Sequence, residues 1–180
     1  MKVEKTGLGG VLVLEPEVRA DARGYFMETW TARAFEALGI GASFVQDNHS
    51  RSARNVLRGL HYQIRQPQGK LVRVVSGAIW DVAVDLRRHS QTFGRWEGVR
   101  LDAESHRMVW IPPGFAHGFV ALDGPADVLY KATGYYAPEH ERTLLWNDPA
   151  LGIAWPLAGE PLLSDKDRRG VPLARAETYD

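Results

Sequence analysis

The feature that most constrains the fold is a succession of short β-rich segments, which glycines and prolines separate along the whole chain. The 180 residues include 18 Gly and 10 Pro, with no internal repeat or low-complexity stretch. Short strands with turn signals between them favour an all-β antiparallel sandwich or barrel. Ser76-Gly77 predicts a hairpin turn between residues 71–75 and 78–86. The expected strands cover residues 11–14, 24–27, 56–64, 71–75, 78–86, 99–101, 108–111, 118–122 and 128–136.

Helical signals are few and short. One helix is expected, with Thr31 as its N-cap and Gly39 at its end. A shorter turn is expected to begin at Ser164, because acidic residues follow it in the favourable first turn. The length suits one domain, residues 1–180, that buries about 70% of the surface of the unfolded chain. Residues 174–180 carry little apolar material, and the tail from about residue 171 is expected to fray.

Composition excludes several classes of function. The 22 basic and 22 acidic side chains balance, which argues against a general nucleic-acid binder because such proteins carry a basic excess. The chain has no Cys, so disulfides, thiolate metal sites and thiol nucleophiles are excluded. No apolar run is long enough for a transmembrane helix, and no membrane partner is expected. The start of the chain lacks an apolar signal core, so a cytoplasmic location is expected.

Two histidines are candidates for chemistry. On a strand, His61 and Gln63 share a face with Gly59 beside them, and Arg65 continues that side. This face could line a polar cavity, or it could be the exposed face of an edge strand. His117 follows a rigid Pro-Pro-Gly turn among apolar neighbours. It could have a role in a site, or it could be a core histidine bonded to a backbone carbonyl.

Other polar residues carry the same ambiguity. Tyr130 and Tyr136 could donate a proton or stack on a flat ring, although tyrosines on strands usually only pack. The run from Ser164 to Asp167 could be a simple helix start, or one Asp could orient a histidine. Four cations from separate segments could converge on an anion or stay scattered: Arg23, Arg58, Lys70 and Arg73.

Eight motifs, taken in chain order, connect these candidates. They are 44–50 (FVQDNHS), 56–63 (VLRGLHYQ), 68–73 (QGKLVR), 81–85 (DVAVD), 111–119 (IPPGFAHGF), 130–133 (YKAT), 145–148 (LWND) and 163–167 (LSDKD). Together they strongly resemble the dTDP-4-dehydrorhamnose 3,5-epimerase family over about residues 10–170. The resemblance implies a cupin-type antiparallel β jelly-roll barrel with one or two short helices, which acts as a homodimer.

The resemblance also implies that the protein has no metal and no other cofactor. The spacing of Pro112, Gly114 and His117 is similar to the second cupin motif. In metal-binding cupins the first motif supplies a His-x-His pair, whereas this chain has His61-Tyr62-Gln63 and so lacks one ligand.

The implied reaction inverts C3 and C5 of dTDP-4-dehydro-6-deoxy-D-glucose to form dTDP-4-dehydro-L-rhamnose, a step in nucleotide-sugar biosynthesis. By resemblance, His61 is the base, Asp167 orients it, Lys70 lies near the keto oxygen, Tyr130 donates the proton and Tyr136 stacks near the nucleotide. Further positions match residues that hold the nucleotide, diphosphate or sugar, or shape the pocket: Arg23, Glu28, Gln46, Asp47, Asn48, Arg58, His117, Glu141 and Lys166. Arg23 and Glu28 are expected to reach the site of the partner subunit.

Three alternatives stay open at this point. Some relatives invert only C3, or only one of the two centres, and share the same base. A metal-dependent cupin enzyme, such as an oxygenase or a sugar isomerase, is a second alternative. The third is a cupin that binds a sugar or nucleotide without catalysis, although His61, Lys70, Tyr130 and Asp167 together argue against it.

Overall fold

Two antiparallel sheets face each other in the computed structural model, which describes residues 1–180. Two α-helices are present, α1 (Ala32–Ala37) and α2 (Asp165–Arg168), together with two short 3-10 helices, Pro138–His140 and Leu173–Arg175. The strands in chain order are β1 (Lys2–Lys5), β2 (Leu12–Glu15), β3 (Val18–Asp21), β4 (Gly24–Met27), β5 (Gln46–Ser52), β6 (Leu57–Gln63), β7 (Lys70–Ser76), β8 (Ala78–Asp85), β9 (Trp96–Asp102), β10 (Met108–Ile111), β11 (Phe115–Ala121), β12 (Ala126–Ala132) and β13 (Glu141–Thr143).

The order of the strands confirms the expected all-β, cupin-type jelly-roll barrel. The first sheet has the order β1-β2-β10-β7-β12-β5, and the second has the order β13-β6-β11-β8-β9. The strands β3 and β4 form a separate two-stranded hairpin. No helix is long and apolar enough to cross a membrane.

The main core lies between the two sheets. It contains 16 buried residues, most of them from strands of both sheets, with Leu8 and Val11 contributed by the segment between β1 and β2. Alternation along β7 shows how the sequence produces this core, because Val72 and Val74 point inward while Leu71 packs on the outside against α1. On the outside of the second sheet, a further cluster is covered by the C-terminal segment. Where a strand packs against this core, a shift of one residue would turn its buried side chains outward, so burial fixes which way the strand faces.

The expected hairpin between residues 71–75 and 78–86 is wrong. The strand β7 pairs with β10 and β12, whereas β8 pairs with β11 and β9 in the other sheet. Gly77 turns the chain from one sheet to the other with φ +74, and a Cβ there would lie 2.3 Å from the Pro125 carbonyl oxygen. A tight turn signals a change of direction, but it does not determine which strands become hydrogen-bonded neighbours.

Both helix predictions are confirmed. Thr31 caps α1 by accepting a hydrogen bond from the Ala34 N–H at 3.3 Å, and Gly39 follows the helix with φ +78. Ser164 caps α2 in the same way. Four strands were not expected from the sequence, because their residues are mainly polar or exposed: β1, β3, β5 and β13.

The C-terminal tail packs against the barrel, which differs from the expectation that it frays. The Tyr179 hydroxyl donates to the Gln63 carbonyl at 2.6 Å, and the Tyr179 N–H donates to the Leu86 carbonyl at 3.0 Å. The rings of Tyr62 and Tyr179 lie 6.1 Å apart in an edge arrangement. One tyrosine near the end of the chain thus supplies both apolar contact and hydrogen bonds, which an apolar count over the segment does not reveal.

Candidate active site

A cavity of about 380 Å³ opens between the two sheets. The first sheet contributes side chains from β5, β7 and β12, and the second contributes side chains from β6, β11 and β13. The lining residues are Gln46, Asn48, Ser50, Arg58, His61, Tyr62, Gln63, Gln68, Lys70, His117, Gly118, Phe119, Tyr130, Tyr136, Glu141 and Lys166. The jelly roll therefore brings together segments that are more than 100 residues apart in the sequence.

An irregularity in β6 aims two of these side chains. His61 pairs with His117 and Arg58 pairs with Phe119, so β6 has one more residue than β11 over this stretch. The extra residue turns both Arg58 and His61 toward the cavity, whereas a regular strand would place them on opposite faces. Gly59 permits this bulge, because it has φ +124 and its Cβ would lie 2.5 Å from the Gly118 Cα.

The face predicted for this strand is therefore only partly confirmed. His61 and Gln63 both line the cavity, and Arg58 takes the place expected for Gly59. Arg65 is exposed and does not line the cavity. The alternative of an exposed edge face is wrong, because β6 lies between β13 and β11.

His61 is paired with a buried carboxylate. Its Nε2 lies 2.5 Å from Oδ1 of Asp167, and the Ser164 hydroxyl donates to Oδ2 of the same carboxylate at 2.7 Å. Burial lowers the pKa of His61, while the hydrogen bond to Asp167 opposes that shift. Asp167 keeps a lowered pKa because bonds from His61 and Ser164 outweigh its burial. A carboxylate at Nε2 favours the proton on that nitrogen, which leaves the lone pair on Nδ1 for a base.

The two interpretations of the run from Ser164 to Asp167, a helix start and an Asp that orients a histidine, are both correct. Its hydroxyl caps α2, and the same cap places Asp167 on the side of the helix that faces β6.

Lys70 and Tyr130 bring a cation and a hydroxyl into the same cavity. Burial lowers the pKa of Lys70 to about 8, although Asp81 and Glu141 oppose the shift. Lys70 is therefore mainly protonated at pH 7. Burial raises the pKa of Tyr130, so its hydroxyl keeps its proton there. These states suit stabilisation of a developing oxyanion and donation of a proton, respectively.

His117 is held by a side chain that the sequence interpretation missed. Its Nε2 lies 2.8 Å from Oδ2 of Asp81, and both residues are buried. The alternative of a core histidine bonded to a backbone carbonyl is therefore wrong about the partner, which is the Asp81 carboxylate. The signal was present in the sequence, because Asp81 is a carboxylate inside the otherwise apolar run from Ala78 to Val84.

The rim of the cavity is a polar network. Glu141 accepts hydrogen bonds from Nζ of Lys166 at 2.8 Å and from the Tyr136 hydroxyl at 3.1 Å. Burial would raise the pKa of Glu141, but the bond from Lys166 holds it below its usual value. On β5, Gln46 donates to Oδ1 of Asn48 at 2.8 Å. Nδ2 of Asn48 and the Ser50 hydroxyl are buried and have no hydrogen-bond partner within the protein.

The four basic candidates do not converge within one chain. Arg58 and Lys70 line the cavity, and Nε of Arg58 donates a 2.9 Å hydrogen bond to the Ser52 hydroxyl. Arg73 lies on the outer face of β7, beside Leu71. Arg23 is exposed on the β3–β4 hairpin, where it pairs with Asp21 at 2.5 Å.

Two further predicted positions, Glu28 and Asp47, also lie outside this chain's cavity lining. Arg23 and Glu28 are exposed, and Glu28 accepts only a 3.3 Å hydrogen bond from Thr31. Asp47 points outward from β5 and pairs with Lys131 at 2.9 Å, because alternate residues of a strand face opposite sides. The same alternation could have identified Ser50, which the sequence interpretation missed, as a neighbour of Gln46 and Asn48 on the inner face.

The fold and site together define an enzyme of the cupin-type barrel class, with a histidine–carboxylate pair in the barrel. Residues 5–175 match the family described as dTDP-4-dehydrorhamnose 3,5-epimerase. The chain belongs to this family of isomerases.

Individual relatives agree with this assignment. A dTDP-4-dehydrorhamnose 3,5-epimerase of Pseudomonas aeruginosa is 59% identical, and the alignment covers 99% of each chain. A crystal structure of a dTDP-6-deoxy-D-glucose-3,5-epimerase from Legionella pneumophila, in complex with dTDP-4-keto-L-rhamnose, has a TM-score of 0.95 at 48% identity and covers 98% of this chain and 94% of that chain. A dTDP-4-dehydrorhamnose 3-epimerase of Streptomyces niveus is 43% identical over 98% of this chain and 86% of that protein.

Proposed function

We propose that the protein inverts C3 and C5 of dTDP-4-dehydro-6-deoxy-D-glucose and so produces dTDP-4-dehydro-L-rhamnose. The observation that carries this proposal is the 2.5 Å contact of Asp167 with His61, which lines the same cavity as Lys70 and Tyr130. The relatives named 3,5-epimerase support the same substrate and both centres.

The proposed mechanism moves protons without a redox step. The C3 and C5 hydrogens flank the C4 ketone, which acidifies them, so the reaction requires no cofactor. His61 removes the proton, and the electron pair of the broken C–H bond moves to the C4 oxygen. Lys70 stabilises the resulting enolate oxygen, and such a donor typically contributes roughly 10²–10³-fold in rate. Tyr130 then protonates carbon from the opposite face, the ketone re-forms, and solvent returns the protons to their starting groups.

The rest of the cavity suits the nucleotide diphosphate. Arg58 is held by Ser52 at the cavity wall and offers a guanidinium for a phosphate oxygen. Tyr136 at the rim offers an exposed ring for stacking on the base. The unpartnered polar atoms of Asn48 and Ser50 add hydrogen-bonding capacity in the same cavity.

We also propose that a homodimer completes the site. Arg23 and Glu28 lie outside the cavity of their own chain, although their positions match residues that reach a site in the family. The hairpin of β3 and β4 exposes Tyr25 and Phe26, which are apolar rings that a second subunit could cover. In mixed dimers, an Arg23→Ala subunit should then complement an inactive His61→Ala subunit and restore part of the activity. No complementation would contradict sharing of the site.

Solvent exchange tests the function directly. In deuterated water, the wild type should incorporate deuterium at C3 and at C5 of the substrate, as followed by NMR. His61→Ala should lose exchange at both carbons while dTDP still binds, because loss of a general base costs about 10²–10⁴-fold. The exposed His89 gives the matched control, His89→Ala, which should behave as wild type. Normal exchange in His61→Ala would show that another residue is the base.

An epimerase that inverts one centre is the second candidate. The Streptomyces niveus relative named 3-epimerase motivates it, because it aligns with nearly the whole chain. Deuterium at C3 alone would establish this alternative and exclude the double inversion.

A metal-dependent reaction is disfavoured by the donor atoms themselves. The second position of a His-x-His pair is occupied by Gln63, whose amide is bound to backbone groups, and no group of three or more His, Cys, Asp or Glu side chains is placed to hold one metal ion. Activity that falls with a chelator and returns with a divalent metal would reverse this conclusion.

A further inference from the structure

Gln63 is a buried residue of β6 that the proposed reaction leaves without a role. It is 3% exposed. Its Nε2 donates to the Gln66 carbonyl at 2.9 Å and to the Tyr135 carbonyl at 3.3 Å. Its Oε1 accepts from the Ala137 N–H at 2.9 Å. Both polar atoms of the amide are thus used for backbone groups, which is what a fixed connector between segments requires.

These hydrogen bonds enclose one residue, Tyr136. Gln63 holds the carbonyl immediately before Tyr136 and the N–H immediately after it. The N–H of Tyr136 itself donates to Oε1 of Gln46 at 2.9 Å. Consecutive backbone groups around one residue are therefore bound by side chains from both sheets, with Gln46 on β5 and Gln63 on β6.

The side chain of Tyr136 needs such support because packing does not supply it. The residue is 53% exposed, and its hydroxyl contacts only the carboxylate of Glu141 at 3.1 Å. An exposed ring takes its position from the backbone that carries it. A stacking surface that is already ordered before binding loses less entropy when the ligand arrives.

We propose that Gln63 is a positioning residue that presents Tyr136 to the nucleotide. This inference rests on the proposed function, because it assumes a nucleotide at the rim of the cavity. Gln63 lies only two residues from His61, yet its contacts lead to the rim and not to the base. Its loss should therefore weaken nucleotide binding and leave proton transfer intact.

A double-mutant cycle tests the proposal with dTDP as the probe. Stacking of a base on an aromatic ring is worth about 5- to 150-fold in affinity, which sets the loss expected for Tyr136→Ala. Gln63→Leu should weaken dTDP binding, measured by titration calorimetry, by roughly 10-fold, within that bound. When Tyr136 is already Ala, Gln63→Leu should have little further effect, because coupled residues are not additive. Exchange of deuterium at saturating substrate should stay close to wild type.

The controls separate this role from simple damage to the fold. Gln68→Leu removes a 2.7 Å hydrogen bond to the Gly134 carbonyl in the same loop, outside the residues that flank Tyr136, and should weaken dTDP less. Gln63→Met keeps the length of the side chain and replaces Gln63→Leu if that variant does not fold.

Three results would overturn the role of Gln63. Equal weakening by Gln63→Leu with and without the Tyr136 ring would show that Gln63 does not act through it. A loss of saturated exchange with unchanged dTDP affinity would place Gln63 with His61 instead. If the wild-type protein binds no dTDP, the proposed function is refuted. If the wild type binds dTDP and Gln63→Leu binds it equally well, only the role of Gln63 is refuted.

Discussion

The pair of His61 and Asp167 supports a quantitative prediction, because α2 also provides a matched control. Asp167 is 3% exposed and its carboxylate contacts His61. Asp165 has a side chain that is 85% exposed and pairs only with Arg168. The changes Asp167→Asn and Asp165→Asn therefore remove the same charge from the same helix. The first removes it beside the catalytic base His61, and the second removes it in solvent.

The direction of the effect follows from the pKa of His61. The neutral imidazole is the base, so kcat/KM should rise with pH through the pKa of His61 in the free enzyme. Burial lowers that pKa, and the hydrogen bond that His61 donates to Asp167 raises it. In Asp167→Asn the raising effect is lost, so the acid limb of the profile should move to lower pH.

The magnitude follows from the type of bond. A hydrogen bond to a charged group contributes about 1.5–3 kcal/mol, so the acid limb should move far enough to be measured. The plateau of kcat/KM should also fall, because the amide of the new Asn side chain does not enforce the His61 tautomer that has its free lone pair on Nδ1. Replacing the orienting carboxylate in the Ser-His-Asp triad costs ~10⁴-fold, so we expect a loss of about 10- to 10³-fold for this partly exposed imidazole.

The assay is the pH profile of epimerisation for wild type, Asp167→Asn and Asp165→Asn, with dTDP affinity as the check on folding. Asp165→Asn should coincide with wild type. An unchanged plateau and acid limb in Asp167→Asn would refute the role of Asp167. A limb that moves to higher pH would refute the sign of the argument.

Three further predictions concern other residues of the site. Lys70→Met should lower turnover by roughly 10²–10³-fold, with a smaller effect on dTDP affinity. The wild-type activity should fall above about pH 8, where Lys70 loses its proton, and the variant should lack this alkaline limb. A change in dTDP affinity alone would make Lys70 a ground-state contact. Tyr130→Phe should lose inversion more than it loses exchange of deuterium into the substrate. NMR measures the ratio of exchanged substrate to inverted product, and an unchanged ratio would remove Tyr130 from the acid role. Gly59→Ala should lower the melting temperature, since its φ of +124 is strained for Ala and the new Cβ would lie 2.8 Å from the His117 carbonyl oxygen. Gly9→Ala, which meets nothing within 4 Å, should melt like wild type, and equal melting of both variants would contradict a need for glycine in the bulge.

The fold could be predicted from the sequence wherever a local signal was strong. Thr31 and Ser164 cap helices as their side-chain chemistry indicates. The apolar strands of the core were also expected, because alternating or continuous apolar runs must be buried. The polar strand β5 and the lysine-rich β1 were not, since nothing in their own residues favours a strand over a loop. They become strands because a neighbouring strand offers hydrogen bonds.

The candidate site divides in the same way. His61, Lys70, Tyr130 and Asp167 were all proposed from motifs, and the structure brings the first three into one cavity with Asp167 bound to the first. The partner of His117 was not foreseen, because Asp81 is 36 residues away in the sequence and meets it only across β8 and β11. Short-range motifs identify chemical groups, but they do not state which groups meet.

The sequence alone determined the apolar strands of the core, the helix caps and the identity of the reactive groups, because these depend on interactions within a few residues. Only the tertiary structure decided that β7 and β8 join different sheets and that Gln63 holds the backbone around Tyr136. Only the structure also showed that Arg58 and His61 share a face. These outcomes depend on strand register and on burial shared between distant segments, and register is set by the packing of the whole barrel.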